Sequence, residues 1–276
     1  MKGTFIKEIT YPECCEQINE NTVIVLPIGG GSKEHGSHLP MGTDYYVTDY
    51  LAAELTRRCE VVTLPTLPFA YFPAFVGWKG SVHIEAENFM HYVEDILYSF
   101  VRFGVKKFII IDGGISTHIP LQILSHTMRN KYGATVVVTN YNGLSGEAAD
   151  QVCQQKAGGH GDEEETSVLL AIRPELVKME CAVEEYREVP VENQIQNGRA
   201  VAHISMAMNT PHGVNGNSKL ATREKGELIL KSMVERLGLF TEGVIRWDPE
   251  KKKKGEERWE KWICWSLFFI RDSTTL

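Results

Sequence analysis

The 276-residue sequence lacks the patterns that mark membrane, secreted and disulfide-rich proteins. No apolar run reaches the length of a membrane span, and the N-terminus has no apolar core of signal-peptide length. The six cysteines follow no CxxC or other regular spacing, so the sequence predicts neither a zinc knuckle nor a disulfide scaffold. Scattered free thiols fit a reducing compartment. We therefore expect a cytoplasmic protein with no membrane partner.

The sequence also lacks the features of nucleotide-binding and nucleic-acid-binding proteins. Its 29 basic residues are outnumbered by 36 acidic ones, and a net charge of -7 leaves no basic excess for a nucleic-acid footprint. The run Gly29-Gly30-Gly31 lacks the Gly-Lys-Ser/Thr ending of a phosphate-binding loop, and no Rossmann fingerprint is present. We expect a small-molecule substrate and no nucleic-acid partner.

Strand and helix patterns alternate along most of the chain. Apolar runs predict strands, and apolar residues at helical spacing predict the intervening helices. The strands are predicted at 23–28, 61–64, 108–111 and 135–139, and the helices at 45–58, 85–103, 120–133, 163–172 and 220–237. Strands separated by such helices form βαβ units. We expect a single-domain α/β/α sandwich with a mostly parallel central sheet.

Two parts of the chain fall outside this alternation. A polar segment at 184–212 has little periodicity and predicts loops or edge strands. Beyond Trp247 the composition changes to a run of four lysines followed by tryptophans and phenylalanines. We therefore divide the chain into an α/β domain at 1–247 and a Lys/Trp-rich extension at 248–276. The extension would dock on the body or on another subunit, with a membrane surface as the weaker alternative.

The loop after the first strand concentrates side chains that bind metals. Glu34, His35, His38 and Asp44 follow the glycine run within a few residues. Ligands bind at the carboxyl ends of parallel strands, and imidazole nitrogen with carboxylate oxygen suits zinc, manganese or iron. We predict one or two divalent ions, with zinc preferred. As an alternative, Asp44 would cap the following helix, and His38 is more typical of a structural histidine.

Four stretches resemble motifs of the creatininase (creatinine amidohydrolase) family. Residues 27–44 resemble its Pro-x-Gly-x-x-Glu-x-His-Gly-x-His-x-Pro signature and the Asp that follows, and 158–167 resemble its His-Ala-Gly-Glu-x-Glu-Thr-Ser stretch. Residues 213–217 and 221–226 resemble its C-terminal motifs. The resemblance implies a metal-dependent hydrolase that uses activated water to open a non-peptide C–N bond of a small, cyclic amide or formamide. It also implies a homo-oligomer, often a hexamer.

The resemblance implies roles for individual residues. Asp44 matches the family's metal-bridging aspartate and His35 its imidazole ligand. His160 matches a histidine that carries the catalytic proton, work that suits an imidazole near neutral pH. Glu165 matches the glutamate of Glu-Thr-Ser, and we predict it as a further metal ligand.

The sequence departs from the family pattern at two of these motifs. The family's acidic ligand stands two residues before the histidine, where this chain has Lys33, with Glu34 one residue later. A bulge in the glycine run would turn Glu34 toward the metal, and we predict it as a ligand. Alternatively, the Lys33 ammonium takes the metal's place. The family's Asn-Gly-His has no histidine here, because Gly114 stands at that position. His118 or Asp112 would replace it, or the site would hold one ion.

Two loops carry the candidate substrate contacts. The loop at 68–80 is rich in proline and aromatic residues, which suits a pocket wall or a subunit contact, and we select Trp78 from it. Ser116 and Thr117 follow Gly114 in the departing motif and are the other candidates. Because the departures affect metal ligands, a second hypothesis is a non-catalytic binding or scaffold protein with a degenerate metal site.

Overall fold

The computed structural model describes residues 1–187 and 210–247. Contacts divide the chain into Met1–Ile245 and Arg246–Leu276. The predicted extension at 248–276 lies outside the described residues, as does most of the polar segment predicted to form loops or edge strands. No described helix combines the length and apolar composition that a membrane span requires.

The core of Met1–Ile245 is a five-stranded parallel sheet in the order β1-β3-β2-β4-β5. The strands are β1 Thr4–Phe5, β2 Val23–Ile28, β3 Val62–Thr63, β4 Lys107–Asp112 and β5 Thr135–Asn140. Every residue of β2 is buried, because its neighbours β3 and β4 cover both edges. The register places Ile28, Asp112 and Asn140 side by side at the carboxyl edge. The mostly parallel sheet confirms the predicted fold class.

Helices cover both faces of the sheet. They are α1 Tyr11–Gln17, α2 Thr43–Arg58, α3 Ala86–Val101, α4 His118–Tyr132, α5 Tyr141–Val152, α6 Glu163–Ile172 and α7 Arg223–Arg246. Ile24 and Leu26 of β2 pack in a cluster with α3 and α4, whereas Val23 and Val25 pack in a second cluster with α2 and α7. Because successive strand residues point to opposite faces, these clusters make the three layers of an α/β/α sandwich. A separate antiparallel pair joins β6 Glu184–Glu185 to β7 Gly216–Asn217.

The helices differ from the prediction at several places, and neither α1 nor α5 was predicted. Helix α2 begins at Thr43 after Gly42, so Asp44 lies in the first turn and is not the N-cap. Helix α5 was not predicted; the Asn140 side chain accepts a hydrogen bond from Gly143 N and caps it. Helix α7 extends to Arg246, beyond the predicted end at Leu237.

Candidate metal centre

The glycine run after β2 brings the first turn of α2 against the sheet. A Cβ atom on Gly29 would lie 2.6 Å from both Tyr45 Cα and Thr48 Oγ1, so only glycine permits this approach. A Cβ on Gly113, after β4, would also lie 2.6 Å from the Thr48 side chain. This close packing holds Asp44, in the same turn of α2, at the carboxyl edge of the sheet.

His35 and Asp44 form a buried pair at this edge. The His35 Nδ1 atom lies 3.0 Å from the Lys33 carbonyl oxygen, which only accepts hydrogen bonds, so we assign the ring proton to Nδ1. The Nε2 atom lies 2.7 Å from Asp44 Oδ1. With the ring proton on Nδ1, the Nε2 lone pair and the carboxylate oxygen face each other, and a proton or a metal ion between them would satisfy both atoms.

His160 contributes a second imidazole from the segment before α6. Its Nε2 atom lies 3.1 Å from Glu34 Oε2, and its Nδ1 atom lies 4.0 Å from Glu165 Oε2. Burial lowers the pKa of His160 to about 4, against the opposing effect of the Glu34 hydrogen bond, so the ring is neutral at pH 7. With the proton on Nε2 and donated to Glu34, the Nδ1 lone pair faces the Glu165 carboxylate.

His35, His160 and Glu165 fit a divalent ion. One ligand atom from each lies within 4.8 Å of the other two, and no other group of three such residues is this close in the described ranges. Two imidazoles and a carboxylate are a zinc donor set, and the same atoms suit manganese. Burial raises the pKa of Glu165 to about 7, so a bound cation would favour its ionised form.

Lys33 occupies the other side of Asp44. Its Nζ atom lies 2.5 Å from Asp44 Oδ2, and its side chain is only 7% exposed. The ammonium also lies 5.1 Å and 4.9 Å from the ring centroids of Phe72 and Phe75. Burial acts to raise the pKa of Asp44, but the His35 ring and the Lys33 ammonium hold it well below its usual range. Asp44 is therefore an ionised carboxylate that lies between the Lys33 ammonium and the His35 ring.

The structure brings all five predicted catalytic and metal-binding residues to one place. These are Glu34, His35, Asp44, His160 and Glu165. Glu34 reaches the site as the hydrogen-bond acceptor of His160 and is not in the group of three ligands. Neighbours 34 and 35 both face the site because the loop is not extended strand and turns at Gly36, which has a φ of 78°. The assignments of Glu34, His35, Asp44 and Glu165 as ligands, and of His160 as proton carrier, all stay predictions.

The candidate replacements for the histidine absent at Gly114 bind each other. Asp112 accepts hydrogen bonds from the Thr117 hydroxyl at 2.5 Å and from His118 Nδ1 at 3.3 Å. Hydrogen bonding to Asp112 raises the pKa of His118. Neither residue belongs to the group of three ligands. His38 binds Thr166 Oγ1 at 2.8 Å, which fits the structural role predicted for it.

The three predicted substrate contacts lie outside the group of metal ligands. Thr117 is fully buried and its hydroxyl is engaged by Asp112. Ser116 is half-buried beside it. Trp78 packs against the aromatic cluster of its loop, and its Nε1 atom has no hydrogen-bond partner among the described residues. Their substrate roles stay predictions.

A cavity of about 450 Å³ adjoins the site and was not predicted from the sequence. Its lining includes Tyr141, Asp150, Gln155, Asp162, Glu164 and Glu165. The Tyr141 hydroxyl is buried without a hydrogen-bond partner among the described residues. Burial raises the pKa of Tyr141 well above its usual value, and nearby carboxylates raise it further. The sequence offered no signal for Tyr141, because α5 was not recognised as a helix.

Comparison with known families explains this arrangement. The family model for creatininase, creatinine amidohydrolase, matches residues 7–240. The chain belongs to the creatininase family. The creatininase resemblance and α/β fold predicted from the sequence are thereby confirmed, and the predicted activity class is that of creatininase-family homologues, which include hydrolases of carbon–nitrogen bonds other than peptide bonds.

Individual members of the creatininase family match most of the chain at low identity. The 3-dehydro-scyllo-inosose hydrolase of Thermotoga maritima is 24% identical over 272 residues, which cover 91% of this chain and 86% of that protein. The creatinine amidohydrolase of Pseudomonas putida is 24% identical over 252 residues, covering 85% of this chain and 94% of its own.

Solved creatininase structures share the fold. One creatinine amidohydrolase superposes with a TM-score of 0.76 at 22% identity and covers 90% of this chain and all of its own. A creatininase described as a manganese form, with a TM-score of 0.76, and one of Zn–Zn type, with a TM-score of 0.74, are each 21% identical. They cover 89% and 90% of this chain and all of their own.

Proposed function

We propose that the protein hydrolyses a carbon–nitrogen bond of a small, uncharged amide, such as a lactam or formamide, with a divalent ion held by His35, His160 and Glu165. The observation that carries the proposal is the convergence of these three ligands beside a cavity of small-molecule size. We propose zinc as the ion, with manganese or iron as the alternatives, because two histidines and a glutamate are a zinc hydrolase donor set.

The chain's own residues prepare this site for chemistry. A bound divalent ion supplies a water acidic enough to attack a carbonyl carbon at neutral pH. The Lys33 carbonyl orients the His35 ring, and Glu34 orients the His160 ring while holding the proton on Nε2. The Glu34–His160 pair is also a place where a proton can be held close to the leaving nitrogen.

The charge of the cavity supports an uncharged substrate. Asp150, Asp162, Glu164 and Glu165 line it, against a single lysine, Lys156. Carboxylates in a confined space repel anionic ligands and accept hydrogen bonds from N–H and O–H groups. An amide rich in hydrogen-bond donors therefore fits better than a phosphorylated or carboxylated one.

Metal binding and substrate charge together test the proposal. We expect zinc or manganese to raise the melting temperature of the chelator-treated protein, and His35→Ala to lose most of that rise. The control His126→Ala changes an exposed histidine and should keep the metal-induced rise in melting temperature. Assays should then find turnover of uncharged lactams or formamides and little turnover of phosphorylated ones. Full metal binding by His35→Ala would contradict the proposal.

A non-catalytic scaffold is the second candidate. The observation that favours it is the Lys33 ammonium on Asp44, which places a side chain where a metal would otherwise meet that carboxylate. If millimolar zinc or manganese gave no thermal shift, the scaffold would be the better account.

We further propose that the protein acts in the cytoplasm as a homo-oligomer, a hexamer by family resemblance. Exposed Ile119 and Ile123 support an interface, because they lie four residues apart on one face of α4, and exposed Ile115 lies just before that helix. Light scattering should give a mass several times that of the chain, and Ile119→Asp should lower it. An unchanged mass would argue against this interface.

A further inference from the structure

We infer that the Lys33 ammonium serves as the second cation of the site, so that each chain binds one divalent ion. This inference rests on the proposed function, because it assumes that His35, His160 and Glu165 hold that ion. It assigns to Lys33 a positioning role: the ammonium fixes Asp44, and Asp44 in turn faces His35.

The two oxygens of Asp44 have different partners. Oδ1 lies 2.7 Å from His35 Nε2, on the side of the metal ligands. Oδ2 lies 2.5 Å from Lys33 Nζ, on the opposite side of the carboxylate. A carboxylate between two cations would be expected of a two-metal site, and here the second position already holds a charged side chain.

The Lys33 side chain is held in this position by its surroundings. The residue is 5% exposed, and its ammonium faces the rings of Phe72 and Phe75 at 5.1 Å and 4.9 Å. Aromatic faces stabilise a cation that has lost its water shell. The backbone also anchors the residue, since Lys33 N donates to Met41 O at 2.9 Å. The ammonium is therefore enclosed beside Asp44 by these aromatic and backbone contacts.

The ligand inventory agrees with a single ion. Within residues 1–187 and 210–247, only one group of three histidine, cysteine or carboxylate residues is close enough to hold a metal, and Asp44 is not in it. A related mutant creatininase is described as being of Zn–Zn type. In this chain the Lys33 ammonium pairs with Asp44. One metal ion and this ammonium would therefore supply two cations, where a two-metal site has two ions.

The ratio of metal to chain tests the inference directly. The full-length protein is stripped with chelator, titrated with Zn²⁺ by calorimetry, desalted and measured by elemental analysis. We expect one ion per chain and a single binding step. Two ions per chain would overturn the inference while leaving the proposed function intact. No bound ion would remove the proposed function and, with it, this inference.

The variant Lys33→Glu should bind more metal than the wild-type protein. A carboxylate at position 33 would repel Asp44 unless a cation lay between them, so we expect a second binding step and a ratio rising from one toward two. Lys79→Glu makes the same charge change at an exposed lysine and should keep one ion. A ratio of one in folded Lys33→Glu would overturn the inference. If that variant does not fold, the wild-type ratio still decides.

Discussion

Replacing Tyr141 with phenylalanine should raise the stability of the protein and lower its catalytic efficiency. The Tyr141 hydroxyl is buried without a hydrogen-bond partner among the described residues, and an unsatisfied buried hydroxyl costs about 1–3 kcal/mol. Removing it should raise the free energy of unfolding by about 1 kcal/mol or more. For a chain of this size that corresponds to a rise in melting temperature of about 2–4 °C.

Tyr141 also lines the cavity, and we expect its hydroxyl to bind substrate there. An uncharged hydrogen bond contributes about 0.5–1.5 kcal/mol, so kcat/KM should fall about 2- to 10-fold. The assay compares melting curves without substrate and steady-state rates with an uncharged lactam. Tyr98→Phe removes the hydroxyl of an exposed tyrosine and should change stability by less than about 0.5 kcal/mol, with no effect on rate.

The reasoning would be refuted by a Tyr141→Phe protein that is less stable than wild type. That result would mean that the hydroxyl has a partner in the folded protein. Raised stability with an unchanged rate would keep the burial argument and exclude the substrate contact.

Three further predictions concern metal, packing and pH. Chelator should lower the melting temperature by about 5–10 °C relative to protein at 100 times the metal Kd, where binding stabilises by about 2.7 kcal/mol. Gly226→Ala should lower the free energy of unfolding in urea by about 3 kcal/mol, because its Cβ would lie 1.8 Å from the Ser167 carbonyl oxygen. The control Gly243→Ala lies on the same helix with open space around it, and it should leave stability unchanged or raise it. Hydrogen bonding from Lys131 lowers the pKa of Glu94, so its stabilisation is present above the unfolded pKa and is lost as pH falls through the lowered folded pKa. The stability difference between wild type and Glu94→Gln should therefore shrink as pH falls below the usual range of a glutamate.

The sheet was predictable because its strands carry a strong signal. The runs at β2 and β4 are continuously apolar, as expected of parallel strands buried on both faces. Helix α6 has the predicted bounds, since its acidic first turn marks the start. Helix α5 was missed because Gly143 and Gly146 weaken its helical propensity, and the cap at Asn140 depends on where β5 ends.

The sequence could predict where the site lies, but not which of its side chains contact each other. Parallel strands place their carboxyl ends at one edge, which is enough to bring residue 35 toward residues 160 and 165. The directions of Lys33 and Glu34 could not be derived, because the alternation of side chains holds only on strands and these residues lie in an irregular loop. That Lys33 faces Asp44 depends on packing against Phe72 and Phe75, which come from a different segment.

The hydrogen bond between Glu34 and His160 spans 126 residues of chain. No local segment can therefore assemble the metal ligands, and the central strands must have docked before the two histidines meet. Folding dominated by such distant contacts is slow, because the entropy of closing long loops is lost before the contacts form. Metal uptake during refolding should consequently be a late event, and its rate would report completion of the native topology more faithfully than the recovery of helical circular dichroism.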